Sequence, residues 1–264
     1  MNEVSEKINT TNQEGFGAFI PYIMAGDPTP QKSIDYALAL AEGGADLIEL
    51  GVPFSDPVAD GPTIQAAGIR ALKTTDRLGA VFELAQKVKE ETKVPLILMS
   101  YYNPVLQFGE TKFFEKCRET GSDGVIVPDL PPEEGNEFIH SANEISVATP
   151  LLATPGTGKK RLTEITEKAT GFLYLVSRPG TTGAKSGVGK ITTNAIKSVR
   201  PRVPEELPVC VGFGLSTPDQ VGQVIQAGAD GAIVGSAIVN RVGNGDEPEE
   251  IERFASKLKE GTKM

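Results

Sequence analysis

The feature that most constrains this chain is an alternation running from end to end, in which short apolar runs are each followed by a longer amphipathic stretch. Strands are expected at Ala18–Met24, Asp46–Leu50, Leu96–Met99, Gly124–Val127, Val147–Leu152, Phe172–Val176, Val209–Gly212 and Gly231–Val234. Helical periodicity is expected at Pro30–Glu42, Arg77–Glu91, Thr111–Thr120, Pro131–Asn143, Lys160–Thr170, Thr192–Val199, Thr217–Ala227 and Glu249–Lys259. Strands separated by helices pair in parallel through right-handed crossovers. Eight such units in 264 residues match a (β/α)8 TIM barrel, although a doubly wound open sheet shares the same alternation. Residues 1–15 read as a short amphipathic N-terminal helix placed to cap the barrel's lower end. No low-complexity linker or shift in composition divides the chain, so residues 1–264 are expected to form a single TIM-barrel domain.

A recurrent phrase punctuates the pattern: Gly44-Ala-Asp-Leu-Ile-Glu, Gly121-Ser-Asp-Gly-Val-Ile and Gly228-Ala-Asp-Gly-Ala-Ile. Each glycine follows a helix, where a left-handed residue stops it, and the polar turn launches the next strand. This is a structural signal. Net charge excludes one class of partner. At -9, the chain is a poor match for nucleic acid, whose phosphates attract basic surfaces. Cys117 and Cys210 are too few for a disulfide framework and read as small core residues. His140 stands alone at the end of a helical segment, so a triad or a histidine-rich metal site has no support. The N-terminus is polar and acidic rather than signal-like, which makes the cytoplasm the expected location.

Chemistry in such barrels sits at the C-terminal ends of the strands, and the Gly/Pro-rich segments of this sequence follow strand ends. The most specific is Ile48–Gly61. It sets Glu49 in an apolar strand and places Asp60 in the loop that follows. A carboxylate in the run Leu47-Ile48-Glu49-Leu50 is costly to desolvate unless paired or held neutral, and a raised pKa is what acid–base work at neutral pH requires. Strand parity puts Glu49 on the face of Leu47 and Gly51. Gly212–Ser216 and Gly235–Ile238 follow the seventh and eighth strands, where glycines and a helix starting at Ser236 can cradle a phosphate. Ser177–Lys190, with its glycines, Thr, Ser and Lys, reads as a loop able to close over an anion. Its tail is not a nucleotide P-loop, because Ala184 and Ile191 occupy positions that need Gly and Ser or Thr. Tyr101, Tyr102 and Tyr174 lie in or near strand ends, where a pocket for an aromatic ligand would be lined.

The runs Phe19–Pro28, Leu47–Gly61, Leu98–Pro104 and Val127–Glu134, with Gly180–Gly183, Gly212–Gly214 and Gly235-Ser236, resemble the tryptophan synthase alpha chain family. The match is collinear from about residue 15 to 241 and departs from the family pattern at Ala153–Arg161. The resemblance implies retro-aldol cleavage of indole-3-glycerol phosphate to indole and glyceraldehyde 3-phosphate. Glu49 and Asp60 would be catalytic, with Thr182 reaching Asp60 from the closing loop. Phosphate would rest on Gly183, Gly214, Gly235 and Ser236, and indole among Tyr22, Ile64, Tyr101 and Tyr174. No metal or organic cofactor is implied. A separate pyridoxal-phosphate beta chain would receive the indole in an alpha2beta2 heterotetramer, facing Pro53–Pro62 and the region of Asp129. A stand-alone lyase and a catalytically silent activator subunit are the alternatives.

Overall fold

The structure is a computed structural model that describes residues 2–176, 190–212 and 214–264. Eight strands alternate with helices: β1 Ala18–Met24, β2 Ile48–Gly51, β3 Leu96–Met99, β4 Gly124–Ile126, β5 Leu151–Ala153, β6 Leu173–Val176, β7 Val209–Gly212 and β8 Gly231–Val234. The helices are α1 Glu3–Gln13, α2 Pro30–Glu42, α3 Pro62–Ala71, α4 Leu78–Glu91, α5 Tyr102–Phe108, α6 Glu110–Glu119, α7 Asn136–Glu144, α8 Lys159–Lys168, α9 Lys190–Val199, α10 Pro218–Gln226, α11 Ser236–Gly243 and α12 Pro248–Glu260. All paired strands run parallel, in the order β4-β3-β2-β1-β8-β7-β6-β5. The circle closes between β4 and the approach to β5: Val125 N–H donates to the Ala148 carbonyl and Ala148 N–H to the Asp123 carbonyl, each at 2.8 Å. This is a TIM barrel, not an open sheet.

Alternation along each strand sorts the core into two layers. Inside the barrel lie Ala18, Ile20, Leu47, Ile97, Ile126, Phe172, Tyr174, Cys210 and Ile233. Val4 and Ile8 of α1, fully buried, join this inner cluster and plug the end where the strands begin. Outward-facing residues such as Phe19, Ile48, Leu50, Leu98 and Val211 pack beneath the ring of helices.

The repeated Gly-Ala/Ser-Asp phrase has a common geometry. Asp46, just before β2, accepts the Phe19 N–H of β1 at 2.7 Å. Asp123, before β4, accepts the Leu96 N–H of β3, and Asp230, before β8, accepts the Val209 N–H of β7, both at 2.7 Å. Thr170 performs the same task before β6, its hydroxyl accepting Thr149 N–H at 2.8 Å. The pairs β1–β2, β3–β4, β5–β6 and β7–β8 are thus stapled at the barrel floor, and cations neutralise the three acids: Lys259 on Asp46, Lys89 on Asp123, Arg200 on Asp230.

Several boundaries move from the sequence expectation. The strand expected at Val147–Leu152 is reduced to Leu151–Ala153, because Pro150 has no N–H for the ladder. The helix expected from Pro131 starts at Asn136, since Glu134 and Gly135 N–H both fold back onto the Pro131 carbonyl. The segment after β3, where the sequence pattern gives no helix before Thr111, contains α5. Its N-cap comes from a distant residue, Asp129, whose carboxylate accepts Tyr102 N–H at 2.9 Å.

Candidate functional site

Glu49 is the second residue of a four-residue strand, two before its end, in register with Tyr22 on β1 and Ile97 on β3. Its inward parity buries it to 1% exposure. It forms no ion pair among the described residues, and its Oε1 has no hydrogen-bond partner there. Burial therefore raises its pKa to about 8, with the nearby Asp60 charge adding to the effect. Such a carboxyl holds its proton at pH 7.

The β2–α3 loop delivers the second acid. Asp60 N–H donates to the Pro57 carbonyl at 3.1 Å, and the Asp60 carbonyl accepts from Gln65 Nε2 at 2.8 Å, so its backbone is held from both sides. Gly61 and Pro62 then open α3. Burial lifts the Asp60 carboxyl to about 6, and a hydrogen bond from the Tyr101 hydroxyl holds it from rising further. That hydroxyl in turn accepts Ala59 N–H at 3.0 Å. Burial, then the Asp60 charge, pushes the Tyr101 phenol up, so it remains a donor. At pH 7 the pair is one neutral acid and one anion.

Tyr22, Glu49, Asp60, Ile64, Met99, Tyr174, Gly214, Ile233, Gly235 and Ser236 line one cavity, with about 430 Å³ of empty space that is partly open to solvent. Two glycines make room for its aromatic walls. A Cβ at Gly51 would stand 2.0 Å from the Tyr22 hydroxyl, and one at Gly212 would stand 2.5 Å from that of Tyr174. Burial keeps both phenols neutral, with pKa values well above the usual tyrosine range. Beside Tyr22 the wall is backbone with free donors. Gly214 adopts a left-handed φ of 83°, and Gly235 and Ser236 begin α11, whose first amides have no intrahelical acceptor.

Eight of the residues expected from sequence thus meet in one cavity. Tyr101 does not line it and meets it only through its hydrogen bond to Asp60. Thr182 and Gly183, and most of the expected closing loop, lie outside the described residues. Met99 and Ile233 were not singled out, nor was the space that Gly51 and Gly212 leave for Tyr22 and Tyr174. Their signal was parity: Met99 shares the inward face with Ile97, and Gly51 shares that of Glu49. His140 is exposed on α7 beside Glu144, and both cysteines are buried.

A family profile described as Tryptophan synthase alpha chain matches residues 8–263. The chain belongs to this family. It is a lyase of tryptophan biosynthesis that cleaves indole-3-glycerol phosphate to indole and glyceraldehyde 3-phosphate. Among curated relatives, the tryptophan synthase alpha chain of Methanosarcina barkeri is 45% identical over 99% of this chain and 97% of its own length. That of Thermococcus kodakarensis is 41% identical over 92% of this chain and 96% of its own. A solved Mycobacterium tuberculosis tryptophan synthase superposes with a TM-score of 0.91 at 30% identity, covering 100% of this chain and 99% of the other. A chain of the Pyrococcus furiosus tryptophan synthase complex does so at 0.83 and 36% identity, covering 92% and 98%.

Proposed function

We propose that Glu49 is both the acid and the base of the cleavage and that Asp60 supports the charge formed between its two actions. The neutral Glu49 carboxyl donates its proton to indole C3, and the ring becomes an iminium cation centred on its nitrogen. Asp60, ionised, accepts the ring N–H and stabilises that cation. Glu49, now a carboxylate, takes the proton of the hydroxyl on the adjacent side-chain carbon. The bond from that carbon to C3 breaks, its electron pair returns to the indole ring, and the aldehyde of glyceraldehyde 3-phosphate forms. Glu49 ends as it began, protonated. Substrate phosphate sits on the amides of Gly183, Gly214, Gly235 and Ser236, and the indole between Tyr22, Tyr174 and Ile64, with Tyr101 orienting Asp60 and Thr182 reaching it from the closing loop.

The observation that carries this reading is a buried carboxyl with a pKa of about 8, without an ion pair among the described residues, sharing one cavity with an acid of pKa about 6. Two groups pushed to different values by their surroundings are the pattern of divided acid and base roles. We also assign the partner: a pyridoxal-phosphate beta chain that receives the indole in an alpha2beta2 assembly, in the cytoplasm. The whole of 1–264 acts as one domain. Half-buried Phe54, its ring 5.4 Å from that of Tyr101, and the exposed Val58 lie on the loop that carries Asp60 and suit such a contact. The test is indole release from indole-3-glycerol phosphate, with and without a beta chain. Wild type should turn over and gain rate with the partner, and Glu49→Gln should bind substrate but release no indole. Turnover by Glu49→Gln near the wild-type rate would sink the acid–base role, and a rate indifferent to the beta chain would indicate a stand-alone lyase.

A further inference from the structure

Behind the cavity lies an ion pair that the reaction does not use. Asp27 ends the turn after β1 and is 3% exposed. Its two oxygens accept both arms of the Arg70 guanidinium, Nε to Oδ1 and Nη2 to Oδ2, each at 2.7 Å. Arg70 belongs to the last turn of α3, the helix that opens immediately after Asp60 and Gly61. Asp27 is buried and Arg70 half-buried, and such an ion pair adds little net stability over an apolar replacement, so its use is better sought in the geometry it imposes.

The packing around the pair explains why such a constraint is needed. The buried face of α3 consists of Ile64, Ala67, Gly68 and Ala71, set against Tyr22, Met24 and Val239. Ala and Gly present low ridges, and dispersion contacts of this kind resist sliding and rotation weakly. A two-pronged hydrogen-bonded fork has a single good orientation. The same guanidinium lies beside Gly243 at the far end of α11, where an added Cβ would stand 3.1 Å from its Nη2. One side chain of α3 therefore touches the turn that continues β1, the strand of Tyr22, and the end of α11, the helix of Ser236. The first turn of α3 passes its position to Asp60 through the Gln65 amide on the Asp60 carbonyl.

We propose that Asp27 and Arg70 form a positioning clamp that fixes the rotation and axial register of α3 against β1, and thereby sets the reach of the Asp60 carboxylate toward Glu49. Neither residue touches substrate, and the inference rests on the reading of Asp60 given above. The test uses the full chain and indole-3-glycerol phosphate, with Arg70→Lys, the double variant Asp27→Asn/Arg70→Gln, and each of these combined with Asp60→Asn. Arg70→Lys keeps the charge and loses the fork; misplacement of a catalytic group should lower its kcat about tenfold or more, with KM within about twofold. The double variant leaves no lone buried charge, so it should fold with a thermal midpoint near that of wild type and show a similar loss of kcat. In the Asp60→Asn background both replacements should change kcat by less than about twofold, because residues acting through one group are not additive. Unchanged kcat in the folded variants, a loss carried by KM alone, or an equal loss in the Asp60→Asn background would each overturn the clamp. Asp60→Asn with wild-type turnover would instead overturn the role of Asp60 itself, which separates the two failures.

Discussion

Replacing Glu49 with Gln should strengthen the fold in a pH-dependent way while removing the reaction. In the folded protein the Glu49 pKa is raised by burial from 4.5 to about 8, whereas the unfolded chain returns it to its ordinary value. Below pH 4.5 both states are protonated and the group makes no difference between them. As the pH rises the unfolded state ionises first, so folding must hold a proton that water would remove, and each pH unit costs 1.36 kcal/mol. At pH 7 that amounts to about 3 kcal/mol, and the cost levels off near about 5 kcal/mol once the pH passes 8. Gln mimics the protonated carboxyl in size and carries no such cost. The stability of the variant minus that of wild type should therefore grow steadily between pH 4.5 and 8. Urea unfolding of both proteins at pH 5, 7 and 8.5 measures it, with the titrating groups that do not interact with Glu49 cancelling in the difference. A difference that is flat with pH, or a wild type that gains on the variant as the pH rises, would refute the reasoning. Either would mean that Glu49 is ionised and paired in the fold.

The kcat/KM of the wild type should be bell-shaped, rising through about pH 6 as Asp60 ionises and falling through about pH 8 as Glu49 loses its proton. Tyr101→Phe removes the hydrogen bond that lowers the Asp60 pKa, so the acid limb should move to higher pH; a limb that stays or moves down would contradict that contact. At the opposite end of the barrel, Asp46→Ala strands the Phe19 N–H and the Thr11 hydroxyl and should cost on the order of 2–4 kcal/mol in urea unfolding. Its kcat per folded molecule should be that of wild type, because the staple lies at the strand starts and the reaction at the strand ends.

Much of the architecture was legible in sequence, for reasons visible in particular elements. The β1 strand and α2 helix have their expected limits because Thr29 caps the helix locally and Pro30 occupies its first turn. The start of α5 was hidden because Asp129, far away in the chain, caps it. The β5 limit followed from Pro150 and was missed only because apolar character outweighed the lost N–H. In the site, Glu49 stood out as a charge in an apolar run, whereas Met99 and Ile233 look like any core residue and are distinguished only by facing the cavity. The Arg70 partner of Asp27 has no local signal at all.

By itself the sequence determined the alternation of strands and helices, the inward parity of Glu49 and the glycines at the strand ends, because each depends on near neighbours in the chain. Tertiary structure alone decided that the sheet closes between β4 and β5, that Glu49 forms no ion pair among the described residues, and that Asp60 shares its cavity. The pKa values that divide acid from anion belong to this second class. Desolvation and the field of a neighbouring charge depend on what surrounds a carboxyl in space, and only the closed barrel fixes those surroundings.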